Sequence, residues 1–262
     1  RSELIERLAQ GQHPDIVIIG GGANGAGVFR DLSLQGIPTL LLEKGDYSGG
    51  TSASPSRLAH GGLRYLETGE VSLVRESAEE RNLMLLNAPH QVRPLPVWIP
   101  LWSWFGGTIG AALRFLRLKK NPGAKGVLPV RTGLFIYDQF GNLNRTMPRH
   151  SMLSRGTALR LVPQLASRTK AVAQYFDAVI SQPERIVLEM IEDGEEDCAE
   201  AMALSYVEAR GISDGALKVH DRMSGADFMI KPKLVLNISG PWADEVQKGL
   251  RFNRKMVGGT KG

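Results

Sequence analysis

HPDIVIIGGGANGAGVFRD, residues 13–31, sets three consecutive glycines directly behind four branched apolar residues. The polar entry His13-Pro14-Asp15 and the run Ile16-Val17-Ile18-Ile19 read as a buried strand, and Gly20-Gly21-Gly22 as a tight turn into a helix from about Ala23 to Gln35. A Gly36-Ile37-Pro38 break follows, then a second apolar strand, Thr39-Leu40-Leu41-Leu42, that runs into Glu43. This is a βαβ unit, because two parallel strands need a crossover and the helix supplies it. Gly20, Gly22 and Gly25 form G-x-G-x-x-G at the strand-to-helix junction, and Glu43 stands eighteen positions after Gly25. Glycines at this spacing let a pyrophosphate approach the helix N-terminus, and the acid accepts hydrogen bonds from ribose hydroxyls. A bare structural glycine turn would require neither the acid nor its spacing. An acid in that place, instead of an arginine, argues for a free 2′-hydroxyl, hence FAD or NAD over NADP.

The rest of the chain bounds what such a unit can serve. Its 262 residues are enough for one large domain or two modest ones. A formal charge of +5 suits an anionic substrate, a nucleic acid or an acidic membrane surface without choosing among them. A single cysteine, Cys198, excludes an intramolecular disulfide, makes a cysteine-based metal site implausible and points to a reducing, cytoplasmic compartment; no metal ligand set is expected. No apolar run reaches the ~18 residues of a membrane span, and the amphipathic, acid-bearing start (residues 1–14, a helix or extension) is unlike a secretory signal.

Further along, residues 46–62 are dense in Ser, Thr and Gly and read as an ordered polar loop, and a helix is expected over Val71–Asn87. Pro89, Pro94, Pro96 and Pro100 punctuate an extended segment. In 101–120, Trp102, Trp104 and Phe105 precede Arg114, Arg117, Lys119 and Lys120, a candidate interfacial helix whose plainer reading is a packed helix with a cationic last turn. A helix over 186–202, a strand over 201–210, a hairpin of 216–219 with 227–230 around Ser224-Gly225, and a buried parallel-type strand 234–238 running into Ser239-Gly240-Pro241 complete the pattern.

The loop after Glu43 chooses between the dinucleotides. Thr51-Ser52, Ser56-Arg57-Leu58, His60-Gly61-Gly62-Leu63-Arg64-Tyr65-Leu66-Glu67, Ala88-Pro89-His90 and Gly240-Pro241-Trp242-Ala243-Asp244, with Lys261-Gly262, resemble the FAD-dependent glycerol-3-phosphate dehydrogenase family over 15–262. That family has the D-amino-acid-oxidase-like, glucose-inhibited-type flavoprotein fold. The resemblance implies an α/β protein whose Rossmann-like FAD-binding domain, a parallel sheet with the βαβ unit (15–90 and 170–245), is interleaved with an α+β substrate domain containing antiparallel sheet (91–169 and 246–262).

By the same resemblance, the turn with Gly20, Gly22, Ala23, Asn24 and Gly25, together with Glu43 and Lys44, holds the adenosine diphosphate half of FAD. Thr51 and Ser52 donate hydrogen bonds near the pyrophosphate and flavin, and Ser56, Arg57, His60, Gly61, Gly62, Ser239, Gly240 and Trp242 also line the cofactor. The implied reaction oxidises sn-glycerol 3-phosphate to dihydroxyacetone phosphate, with electrons passed to membrane quinone. The implied catalytic residues are His60 as base, Arg64 and Lys261 as phosphate anchors, and Tyr65 as a hydrogen-bond partner for a substrate oxygen. Each has a plainer reading: a loop tie for His60, an ion pair for Arg64, packing for Tyr65. His90, His150 and His220 stand alone and read as structural or exposed.

Members of the family run well past residue 262, so the sequence reads as an N-terminal portion. Peripheral contact with the inner face of the cytoplasmic membrane and a homodimer are further expectations. An oxidase delivering electrons to oxygen, another amine or hydroxy-acid oxidase of the same fold, and a non-catalytic FAD-binding subunit are the competing readings. An NAD-linked enzyme leaves the Thr/Ser-rich loop without a role, and nucleic-acid binding lacks interleaved aromatics and clustered bases outside 102–120.

Overall fold

The computed structural model describes residues 1–66, 68–108, 126–141, 146–252 and 254–257. In chain order the first elements are α1 (Ser2–Ala9), β1 (Ile16–Ile19), α2 (Ala23–Leu34), β2 (Thr39–Glu43), β3 (Leu58–Ala59), α3 (Leu63–Leu66), α4 (Val71–Asn87) and β4 (Val92–Leu101). Next come α5 (Val127–Gly141), β5 (Ser151–Ser154), α6 (Arg155–Leu161), β6 (Ala171–Ile180) and α7 (Pro183–Asp197). The last are β7 (Met202–Ser205), β8 (Val207–Ser213), β9 (Ala216–Asp221), β10 (Asp227–Ile230), β11 (Leu234–Asn237) and α8 (Ala243–Gly249). They form two compact units, Arg1–Ser56 with Gln182–Gly262, and Arg57–Ser181. Residues 57–90, expected in the nucleotide layer, therefore pack within the second unit, because β3 joins β6 and α3 and α4 pack on α5. Residues 246–252, expected in the substrate domain, stay with the first unit through α8 and Leu250, which is buried in its core.

The first unit is a three-layer sandwich. Its sheet runs β11-β1-β2-β7, with all pairs parallel as a βαβ crossover requires. Period-two alternation divides the strand side chains between the two faces. Ile18 and Leu41 join Ala26, Phe29, Val187 and Ile191 beneath α2 and α7. Val17, Ile19, Leu40, Leu42 and Leu204 face the antiparallel sheet β8-β9-β10, where Val207, Leu217, Val219 and Ile230 complete a second core.

The strand expected over 201–210 is two strands. Tyr206, at φ 58°, turns the chain out of the parallel sheet after β7 and into the antiparallel one at β8. The helix expected over 186–202 starts at Pro183 and stops at Asp197, so that residues 202–205 are free to pair with β2.

The amphipathic start is the helix α1, whose Leu8 is fully buried in the second of these cores. Beside it the Arg1 guanidinium lies 2.5 Å from the buried carboxylate of Asp221, which also accepts hydrogen bonds from the Ser224 hydroxyl and the Met223 N–H. These donors, Arg1 foremost, hold the Asp221 carboxyl below the ordinary carboxylate range. A depressed folded-state pKa contributes stability above the unfolded value of about 4, which is lost as pH falls through the folded one. The melting temperatures of the wild type and Asp221→Asn should accordingly differ at pH 7 and converge under strong acid. A gap independent of pH would refute this.

In the second unit β6 is the central strand, with β4 along one side and β3 and β5 along the other. Pro94, Pro96 and Pro100 fit the edge strand β4 because they share one parity. Their nitrogens, which have no proton to donate, face away from β6. Of the segment 101–120, residues 109–120 lie outside the described residues. Trp102, Trp104 and Phe105 are exposed, and the Arg168 guanidinium stands 3.8 Å from the Trp102 ring centroid. No described helix is long and apolar enough to cross a membrane.

Candidate dinucleotide site

The first unit carries a cavity of about 840 Å³ at the C-terminal ends of β1 and β2. Open α/β sheets bind ligands at this position, where strands hand over to loops. Gly20 turns the chain at φ +117°, and a Cβ there would lie 2.5 Å from the Ile238 carbonyl oxygen just beyond β11. Only glycine lets β1 enter the turn at that proximity. Gly25 packs under the turn itself, since a Cβ on it would stand 1.8 Å from the Gly20 carbonyl oxygen. Gly22, Ala23 and Asn24 then present the first turn of α2 to the cavity. The N–H groups of that turn have no intrahelical acceptors, which makes them donors for an anion. Ala23 N–H is taken by Ser52 Oγ at 3.0 Å, so the serine is fixed at the helix mouth with its own proton free to donate.

Glu43 accepts one backbone hydrogen bond on each oxygen, from Gly21 N–H and from Gly45 N–H, both at 2.8 Å. A carboxylate takes about four such bonds, so each oxygen keeps a lone pair for a diol. Thr51 and Lys44 line the same cavity, as do Ser239, Gly240 and Trp242 from the β11 side. The Lys44 ammonium stands 5.1 Å from the Trp242 ring centroid, and that ring lies so close to Gly50 that a Cβ there would come within 2.9 Å of it. The cavity thus has a donor-rich end at α2, an acid with lone pairs to spare at β2 and a flat aromatic wall.

Sequence reasoning missed the strand that closes this cavity. Val207, Ala209 and Arg210 of β8 line it, together with Arg222 after β9, whose guanidinium donates to the Lys44 carbonyl at 2.9 Å. No local motif marks them, because their place follows from the pivot at Tyr206. Of the remaining expected cofactor residues, Ser56 is exposed at the end of the first unit and does not line the cavity.

Arg57, His60, Gly61, Gly62, Arg64 and Tyr65 belong to the second unit. His60, Arg64 and Tyr65 are exposed, with the His60 and Tyr65 ring centroids 6.4 Å apart. Arg57, at φ 58°, accepts the Ile180 N–H on its carbonyl oxygen. Gly61 is buried, and a Cβ on it would reach within 2.1 Å of the Tyr137 hydroxyl and 2.5 Å of Arg81 Nη1. Gly62 turns at φ +71° against the Tyr65 ring. Lys261 lies outside the described residues. Among those described, no group of His, Cys, Asp and Glu is arranged to hold a metal ion.

The sequence pattern of one protein family, described as FAD dependent oxidoreductase, matches residues 15–262. The chain belongs to the FAD dependent oxidoreductase family. Its cavity fits that cofactor on the geometry above: glycine-lined backbone and free helix N–H groups for a pyrophosphate, spare Glu43 lone pairs for a ribose, and no basic side chain in place of that acid. Among relatives of this family member, the glycerol-3-phosphate dehydrogenase of Synechocystis sp. is 36% identical over 95% of this chain and 44% of its own length. The alpha-glycerophosphate oxidase of Enterococcus casseliflavus is 29% identical over 95% of this chain and 39% of its own. The chain spans less than half the length of these relatives. The glycerol-3-phosphate dehydrogenase of Bacillus halodurans, solved in complex with FAD, superposes with a TM-score of 0.64 at 22% identity, over 95% of this chain and 38% of that one. The L-proline dehydrogenase of P. horikoshii superposes at 0.60 with 17% identity, so the fold is common to several chemistries.

Proposed function

We propose that this chain is the FAD-holding portion of an enzyme that oxidises sn-glycerol 3-phosphate to dihydroxyacetone phosphate. The observation that carries the cofactor half is the junction of Gly20, Glu43 and Ser52 around one cavity. Bound there, FAD supplies the acceptor for the hydride that leaves C2 of the substrate. The first turn of α2 and Ser52 hold the pyrophosphate, and Glu43 orients the adenosine ribose. The substrate half is supported by the His60-to-Glu67 block and by relatives named for this substrate. In this reading the imidazole of His60 takes the proton of the C2 hydroxyl as the hydride departs. The Arg64 guanidinium matches phosphate oxygens in a two-pronged contact, and Tyr65 donates to a substrate oxygen. Lys261 is a second cation for the phosphate.

For the electrons, membrane quinone is the acceptor that the exposed Trp102, Trp104 and Phe105 favour, since such side chains seat at a bilayer boundary. Oxygen is the alternative, favoured by the relative named an oxidase. The test is the visible absorption spectrum of the purified protein under anaerobic conditions. A flavin band that bleaches on adding glycerol 3-phosphate is the expected result. A band untouched by this substrate would refute the substrate assignment and leave the cofactor assignment standing. No band after incubation with FAD would overturn both.

A further inference from the structure

The second unit buries a charged cluster that the proposed reaction does not use. Arg81 of α4, Tyr137 of α5 and Asp177 of β6 are each at most 6% exposed. One carboxylate oxygen, Asp177 Oδ1, accepts from the Tyr137 hydroxyl at 2.9 Å, from Arg81 Nη1 at 3.2 Å and from the Gly61 N–H at 2.9 Å. Arg81 Nη1 also donates to the Tyr137 oxygen at 2.6 Å, while Arg81 Nε is buried without a hydrogen-bond partner. A buried ion pair that leaves a donor unmet is a poor way to gain stability, and apolar side chains of similar volume often do better. What apolar side chains cannot do is hold one peptide in one orientation.

That peptide is the one joining His60 to Gly61. The antiparallel pairing of β3 with β6 runs Leu58 to Val179 and Ala59 to Ala178, and then stops. His60 would be the next partner, opposite Asp177. At that point the chain leaves the sheet, and the Asp177 side chain accepts the N–H of the next residue in place of a ladder carbonyl. Gly61 can enter only because it lacks a Cβ. Gly62, at φ +71°, then passes the chain into α3, where Tyr65 N–H bonds back to the Gly62 carbonyl.

We propose that Asp177, held by Arg81 and Tyr137, is a positioning residue that sets the orientation of His60 through the His60–Gly61 peptide. The inference rests on the reading of His60 as the base. Misplacing a reacting group by about 1 Å can cost on the order of 100-fold in rate, so the anchor is worth a buried charge.

The experiment is a double-mutant cycle on the FAD-loaded enzyme, following anaerobic bleaching of the flavin over a range of glycerol 3-phosphate concentrations up to saturation. Asp177→Asn should slow bleaching by about 10- to 100-fold, with KM within about twofold and the FAD content and visible spectrum of the wild type. In a His60→Ala background the same substitution should cost less than about twofold, because its effect passes through the missing imidazole. Equal losses in both backgrounds, or a change in KM alone, would overturn the proposal. His60→Ala bleaching at the wild-type rate would instead sink the reading of His60 as the base. Tyr137→Phe, which removes one donor and keeps both charges, should slow bleaching several-fold and show the same dependence on His60. It decides the question should Asp177→Asn fail to fold, and unaltered bleaching by Tyr137→Phe would then refute the proposal.

Discussion

Gly20→Ala is expected to abolish FAD retention and to destabilise the first unit by about 3 kcal/mol or more. The left-handed backbone and the overlap with a carbonyl each cost of order 1–3 kcal/mol. The overlap is with the Ile238 carbonyl oxygen, 2.5 Å from where the new carbon would sit. The backbone of Ile238 is itself fixed, since its N–H donates to the Ile19 carbonyl at 2.9 Å. Relief requires β1 and β11 to move apart, and that separation opens the cavity floor between Ser239 and the helix mouth. Gly25→Ala should behave alike, its Cβ being 1.8 Å from the Gly20 carbonyl oxygen. Gly27 supplies the control. It lies in the same helix with nothing within 4 Å of a Cβ, so Gly27→Ala should be neutral or stabilising by up to about 1 kcal/mol. Flavin absorbance per protein and thermal melting read both effects. A Gly20→Ala protein that melts with the wild type and carries stoichiometric FAD would contradict the turn described here.

Arg81→Met is expected to cost about 3–5 kcal/mol, because it strands a carboxylate in the interior of the second unit. Asp177 would keep its bonds from Tyr137 and Gly61 but lose its counter-ion, and Arg81 has only 1% of its side chain exposed, so water cannot substitute. Tyr175 shares this environment: burial first, and Asp177 second, push its phenol up to about 12, so it stays neutral and supplies no charge. Thermal melting of the single variant should show a large drop. Adding Asp177→Leu and Tyr137→Phe should recover most of it, since an apolar cluster of similar volume needs no partners. A single variant as stable as the wild type would mean that the ion pair is not desolvated as the structure has it. A recovered triple variant that still fails to reduce flavin separates what the cluster does for stability from what it does for position.

Much of the nucleotide layer was legible in the sequence because its signals are local. Four branched residues, a glycine turn, a helical stretch and an acid-terminated strand fix β1, α2 and β2 within a few residues of their observed limits. The α4 limits Val71–Asn87 and the Ser224-Gly225 hairpin were equally readable, since helical periodicity and turn chemistry depend on near neighbours.

The strand pair after α7 was not readable. The stretch from 201 to 210, read as one partly buried strand, carries no mark of the left-handed turn at Tyr206, which exists because one half pairs with β2 and the other with β9. Nor were Arg210 and Arg222 readable as neighbours of the cofactor cavity, since they stand more than 160 residues along the chain from Lys44, which lines it too. Gly61 shows the difference most plainly. Its place in the His60-to-Glu67 block implies a cofactor contact by resemblance, while its contacts with Tyr137, Arg81 and Asp177 come from the tertiary structure alone. The sequence by itself determined the βαβ unit, the glycine turn and the acid at β2, because each is a contest among adjacent residues. Only the tertiary structure decided which distant side chains close the cavity and which carboxylate catches the chain at Gly61, because those contacts exist only once sheets and helices have packed.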